Sequence, residues 1–198
     1  MSQAEIDQVI ADFAAAARRV KAAGYDGVEI HSAHGYLLNQ FYSPISNRRE
    51  DSYTGETIEG RTRLHCQVIS AVREAVGPDF LVALRLGACD YQEGGSTQAD
   101  AVAACKIFEA AGIDLLDISG GLCGYRGDGS KIPGYFGNES QAIREAVSVP
   151  VILTGGVRTG LAAETLLEEG KADLIGVGRS VLKDSSWAKK AFVELGIE

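Results

Sequence analysis

Residues 23–31 read Ala23-Gly24-Tyr25-Asp26-Gly27-Val28-Glu29-Ile30-His31, and this stretch closes a helix and opens a strand. Upstream, Ile6, Val9, Ile10, Phe13, Ala16, Ala17 and Val20 recur at three- and four-residue steps, the period of an amphipathic helix. Ser2 with Glu5 fits a capping box, and Gly24 ends the helix behind the cations Arg18, Arg19 and Lys21. Residues 27–31 then read as a strand. The Ala-Gly-x-Asp junction recurs at Ala111-Gly112-Ile113-Asp114, and more loosely at Gly170-Lys171-Ala172-Asp173. That is a weak internal repeat of one strand–helix unit.

Outward from this stretch the alternation continues. Helices are expected over 61–76, 97–111, 139–147, 159–169 and 185–195. Strands are expected over 80–86, 114–119, 150–154 and 173–177. Five near-continuous apolar strands between helices predict an α/β protein with a parallel sheet. No linker or low-complexity tract divides the chain, so residues 1–198 read as a single domain. An open doubly wound sheet and part of a (β/α)8 barrel both remain, because a whole barrel typically takes about 250 residues.

Composition narrows the function classes. The chain has 198 residues, with 19 Lys plus Arg against 27 Asp plus Glu, and a net charge of −8. Hydrophobic residues are 45%, enough to form a core and to exclude disorder as the main state. An acidic chain argues against nucleic acid or an anionic membrane as partner. No apolar run is long enough to span a bilayer, and Met1–Glu5 lacks the features of a signal peptide. Cys66, Cys89, Cys105 and Cys123 show no CxxC spacing. A metal cage is not expected; a reduced, cytoplasmic protein is.

In either architecture chemistry sits at the carboxyl ends of the strands. The five strands deliver there His31 with Ser32-Ala33-His34-Gly35-Tyr36, then Arg85, Ser119-Gly120-Gly121, Thr154-Gly155-Gly156, and Gly176-Val177-Gly178-Arg179. Gly155, Gly156, Gly178 and Arg179 lie on consecutive units, each followed by a helix. Such loops cradle phosphate through backbone N–H groups, helix dipoles and a charged donor; the alternative is tight turns alone. Arg85 ends an apolar strand, so it serves either an internal ion pair with Glu29 or Asp117, or an electron-rich ligand. His31 and His34 lack the spacing and third ligand of a metal site. They are candidate donors to a carbonyl or anion, with Tyr36 as a general acid; the plainer alternative is a packed aromatic loop. His65, mid-helix, reads as structural. The Gly-rich segment 120–137 carries Tyr125, Arg126, Asp128, Lys131, Tyr135 and Phe136, and its length suggests a lid or substrate wall.

The run from Ala23 through His31-Ser32-Ala33-His34-Gly35-Tyr36-Leu37-Leu38-Asn39-Gln40-Phe41 closely resembles the Old Yellow Enzyme family of FMN-dependent ene-reductases. So do Ser43-Pro44, Asn47-Arg48-Arg49-x-Asp51-x-Tyr53-x-Gly55 and Glu59-x-Arg61-x-Arg63. Leu84-Arg85-Leu86, Thr154-Gly155-Gly156 and Gly178-Arg179 follow in order, so the resemblance covers essentially the whole chain. It implies a (β/α)8 TIM barrel holding FMN, reduced by NADH or NADPH, that reduces the C=C bond of an alkene activated by a carbonyl or nitro group. It implies that His31 and His34 bind the substrate oxygen and that Tyr36 donates the proton. It implies that Arg85 faces the pyrimidine edge of the flavin, and that Gly155, Gly156, Gly178 and Arg179 hold its phosphate.

Departures accompany the match. The family carries three earlier strands, so this chain is similar to its C-terminal part. A homo-oligomer or a complementing N-terminal barrel segment is the partner this implies. Thr54 and Gly60 stand where the family usually has Gly and Asn. The iron–sulfur subclass, with its Cys-rich segment and further domains, is disfavoured. A different class of reading is a non-catalytic fragment or assembly module pairing through open strand edges. Another phosphate-binding barrel, of aldolase or nucleotide-dehydrogenase kind, fits the last two loops only, and no strand ends in a Schiff-base lysine.

Overall fold

The computed structural model describes residues 1–126 and 132–197. In chain order its elements are α1 (Gln3–Ala22), β1 (Gly27–Ser32), α2 (Leu37–Tyr42), α3 (Ile58–Val76), β2 (Leu81–Cys89), α4 (Gln98–Ala110) and β3 (Leu115–Gly120). After a single 3₁₀ turn at Gly124–Arg126 come α5 (Gly137–Arg144), β4 (Val151–Thr154), α6 (Gly160–Glu168), β5 (Leu174–Gly176), α7 (Arg179–Lys183) and α8 (Trp187–Glu194). The five strands form one parallel sheet in sequence order, β1-β2-β3-β4-β5. That order is the winding of a barrel wall and not of a doubly wound sheet, whose order reverses at a switch point.

Local chemistry explains the element ends. Ser2 and Glu5 close both halves of a capping box on α1, and Thr97 with Asp100 does the same for α4. The repeated Ala-Gly-x-Asp junction has a structural content. Asp114 pairs with Arg73 of the preceding α3 and accepts the Val82 N–H of the neighbouring strand at 2.8 Å. Asp173 repeats this with Arg144 of α5 at 2.7 Å and the Val151 N–H at 2.9 Å. One carboxylate therefore ties a helix end and two strands at each of these two junctions.

The pleat gives the sheet two unlike faces. Ile30, Val82, Leu84, Leu86, Leu116, Ile118, Val151 and Leu153 share one core with the helix residues Ile6, Leu64, Val68 and Val72. The alternate positions carry Glu29, His31, Arg85, Asp117, Ser119 and Thr154. The expected near-continuous apolar run holds for β2, β4 and β5, whereas β1 and β3 alternate apolar and polar residues. Their core face is apolar, while the opposite, concave face carries much of the polar chemistry. Register places His31 beside Arg85 and Arg85 beside Asp117. Among the described residues no helix is long and apolar enough to cross a membrane, and the four cysteines are free.

Candidate active site

The concave face ends in a cavity of about 940 Å³ at the carboxyl ends of the strands. Its lining includes His34, Arg85, Gly155, Gly156, Gly178 and Arg179, the residues expected from the strand ends. His31 and Tyr36 flank it, with ring centroids 5.3 Å (His31–His34) and 5.4 Å (His31–Tyr36) apart. The phenol of Tyr36 is 64% exposed, open to an incoming molecule.

His34 is held in an uncommon conformation. Its φ is +60°, the left-handed region that a residue with a Cβ occupies at a cost of roughly 1–2 kcal/mol. Its N–H donates to the Gly120 carbonyl at 3.2 Å, and its Nε2 shares a 2.8 Å hydrogen bond with Ser119 Oγ. Burial, then the nearby Arg85 cation, then His31 pull the His34 pKa down to about 4. Burial and Arg85 lower His31 as well. Both imidazoles are therefore neutral at pH 7, which suits hydrogen bonding to a neutral oxygen better than metal-free anion pairing.

Arg85 meets both of its expected readings. Its Nε lies 3.4 Å from Asp117 Oδ2, an ion pair without hydrogen-bond geometry, so Nε is buried without a hydrogen-bond partner. Asp117 in turn accepts the Thr154 hydroxyl at 2.7 Å. Burial raises the Asp117 carboxyl above its ordinary range, against the pull of Arg85 and Thr154. The carboxylate thus anchors the stem side of a guanidinium whose residue lines the cavity.

The glycine loops differ from the helix-terminus cradle the sequence suggested. The first N–H groups of α6 are already used: Gly160 N and Leu161 N donate to Glu194 Oε2 at 2.7 and 3.4 Å, and Ala162 N to Thr159 Oγ1 at 3.2 Å. α7 is five residues long, too short for an appreciable macrodipole. What remains is loop backbone. The N–H groups of Gly156 and Val157 have no hydrogen-bond partner among the described residues, and both residues line the cavity. Unclaimed N–H groups lining an open cavity are a fit for an anion. Arg158, Arg179 and Lys183 add cations to the same wall, in a chain whose net charge is −8. Sequence reasoning did not single out Arg158 and Lys183. The signal was there in Lys183, which lies one helical turn beyond Arg179.

The long loop supplies the remaining wall. Tyr125 stands 6.2 Å from the His34 ring, and the Arg179 guanidinium lies 5.4 Å over its face. Tyr135 also lines the cavity, whereas Phe136 is 1% exposed and belongs to the core. The side chain of Arg126, with Asp128 and Lys131, falls outside the described residues. His65 is fully buried, bonded to Ser32 Oγ at 2.7 Å and stacked on Phe108.

Comparison with known proteins sets this geometry in context. The sequence model of the NADH:flavin oxidoreductase / NADH oxidase family matches residues 1–197. An NADPH dehydrogenase of Bacillus licheniformis is 41% identical over 196 residues, covering 98% of this chain and 56% of that protein. An NADH oxidase of Thermoanaerobacter brockii is 38% identical over 193 residues, covering 94% of this chain and 29% of that one. Among solved structures, a 2-naphthoyl-CoA reductase in complex with 2-naphthoyl-CoA superposes with TM-score 0.88 at 28% identity, over 100% of this chain and 30% of its own. Morphinone reductase in complex with tetrahydroNAD gives TM-score 0.80 at 26% identity, over 100% and 52%. The chain thus spans between about a third and just over half of the proteins it matches.

Proposed function

The chain belongs to the NADH:flavin oxidoreductase / NADH oxidase family over residues 1–197, and from that premise we propose that its cavity is the FMN and substrate site of an NAD(P)H-dependent ene-reductase. The substrate class is an alkene activated by a carbonyl or nitro group. One observation carries the reading: a single cavity joins the unclaimed Gly156 and Val157 N–H groups and Arg179 to Arg85 and His34. That set, from anion cradle through a half-buried cation to neutral imidazoles, matches a phosphorylated, electron-accepting ring system with a polar substrate beside it.

FMN, when bound, supplies a two-electron carrier that accepts hydride from NADH or NADPH and delivers it to carbon. The protein's share is binding, orientation and proton placement. Gly155, Gly156, Gly178 and Arg179 would hold the phosphate by backbone and guanidinium donors. Arg85, steadied by Asp117, would offer its positive charge to the pyrimidine edge of the flavin. His31 and His34 donate to the substrate's carbonyl or nitro oxygen and polarise the alkene. Tyr36 gives its phenolic proton to the α-carbon.

The test uses Tyr36→Phe. Alkene reduction is expected to fall by about 10²–10⁴-fold, the usual contribution of a general acid, while reduction of the flavin by NADPH is unchanged. Equal loss in both half-reactions, or in neither, removes Tyr36 from the proton-donor role. A second reading, an assembly piece that joins a partner through its strand edges, is favoured by the sheet order, since β1 and β5 each pair on one side only.

A further inference from the structure

We propose that Tyr135 is a positioning residue for the cavity's anion site, fixing the Arg179 guanidinium with its hydroxyl and covering the Gly155–Gly156 turn with its ring. The inference rests on the phosphate reading above and adds a residue and a device to it. Tyr135 comes from the segment between β3 and α5, a different unit from either glycine loop. Its backbone is pinned on both sides: Gly134 N donates to the Gly155 carbonyl at 2.7 Å, and the adjoining Phe136 is buried with its ring edge-on to Tyr135 at 4.8 Å.

From that anchor the ring meets both glycines. A Cβ on Gly155 would lie 2.9 Å from Tyr135 Cε2, and one on Gly156 would lie 2.7 Å from Cε1. Opposite edges of one ring thus face successive glycines, so the ring lies across the dipeptide. Gly156 itself is at φ +70°, a turn that only glycine makes without strain and without a clash on that ring. The aromatic surface therefore sets the shape of the loop that offers its N–H groups.

The hydroxyl does the second task. It donates its one proton to the Tyr125 carbonyl at 2.5 Å and accepts Arg179 Nη2 at 3.1 Å. Because the proton is committed to the carbonyl, the lone pairs are what the guanidinium sees. Arg179 is thus held from two sides, by this hydroxyl and by the Tyr125 ring beneath it, with further N–H groups left for an anion. An exposed arginine on a five-residue helix would otherwise sample many rotamers, and an anion would have to order it. Freezing one such side chain in advance is worth about 0.5–1.5 kcal/mol of binding, or roughly a two- to tenfold change in affinity.

The experiment compares FMN with riboflavin, which shares the ring system and lacks the phosphate. Dissociation constants are measured by flavin fluorescence quenching on the 198-residue chain, on Tyr135→Phe, on Arg179→Met and on the double variant. Circular dichroism checks that each folds, and the Phe variant keeps the ring that covers the glycines. Tyr135→Phe is expected to weaken FMN about two- to tenfold, to leave riboflavin unchanged, and to have no further effect in the Arg179→Met background. A wild-type chain that binds FMN no more tightly than riboflavin overturns the phosphate reading, and this inference falls with it. A wild-type preference for FMN that Tyr135→Phe leaves intact overturns the inference alone. So does a Phe effect that persists without Arg179 or extends equally to riboflavin, since that is the mark of a general structural role.

Discussion

His34 joins the strain, the burial and the charge of the site in one residue. Its left-handed backbone was not legible in the sequence, because a positive φ in a histidine follows from the tertiary bonds to Ser119 and Gly120 and not from local preference. Its protonation has a measurable consequence shared with its neighbours. The folded pKa values of His31, His34 and His65 are all depressed, to about 4 for His34 and about 3 for His65, with burial the largest cause in each. An unfolded chain takes up these protons from about pH 6.5. Stability is therefore fully present above pH 6.5 and is lost as pH falls toward the folded values. His65 alone, wholly buried, accounts for about 2 kcal/mol between pH 7 and pH 5. Urea midpoints are expected to fall across that window, and a flat profile would show that the histidines are not held neutral. At the same scale, Thr54 and Gly60 meet closely. A Cβ on Gly60 would lie 2.4 Å from the Thr54 carbonyl oxygen and 2.7 Å from its methyl, so the Thr54 backbone and side chain together close on the glycine.

The long elements were legible because periodicity and end signals agree: the Ser2/Glu5 box, the starts of α4 and α6 and the five strands stand close to where spacing puts them. The short helices α2 and α7 were not separated from the surrounding motif, since six and five residues show no periodicity to read. The fate of the α6 N-terminus was equally hidden. Beside the Thr159 cap, its Gly160 N–H goes to Glu194, 34 residues away in the sequence. This makes an element-scale prediction. Glu194→Ala is expected to lower stability by about 1 kcal/mol, the usual value of a lost cap, seen as a lower melting temperature. The preference for FMN over riboflavin should stay the same. A strengthened preference would return the anion to the helix terminus, because the variant frees its N–H groups and removes a negative charge.

At the scale of the molecule, the carboxyl-end rim was legible because a parallel α/β sheet fixes where loops converge. What the residues alone left open was barrel or doubly wound sheet, and the strand order settles that for a barrel wall. The wall has two unpaired edges. Beside β5 and along α7 and α8, Leu174, Val181, Leu182, Phe192, Val193 and Ile197 are exposed. Open edges with apolar neighbours invite pairing. The 198-residue chain is therefore expected to associate with itself on concentration in sedimentation velocity runs, unless a complementing segment is supplied. A single monomeric species at every concentration would show that the edges are inert.

The central claim is that one cavity holds FMN between its glycine loops and its histidines. The most direct measurement is the visible spectrum of the purified chain after incubation with FMN and removal of the excess by gel filtration. Retained flavin is expected, with a perturbed absorption band that bleaches on anaerobic addition of NADPH and returns on addition of cyclohexenone. A chain that is folded by circular dichroism yet elutes without flavin would contradict it.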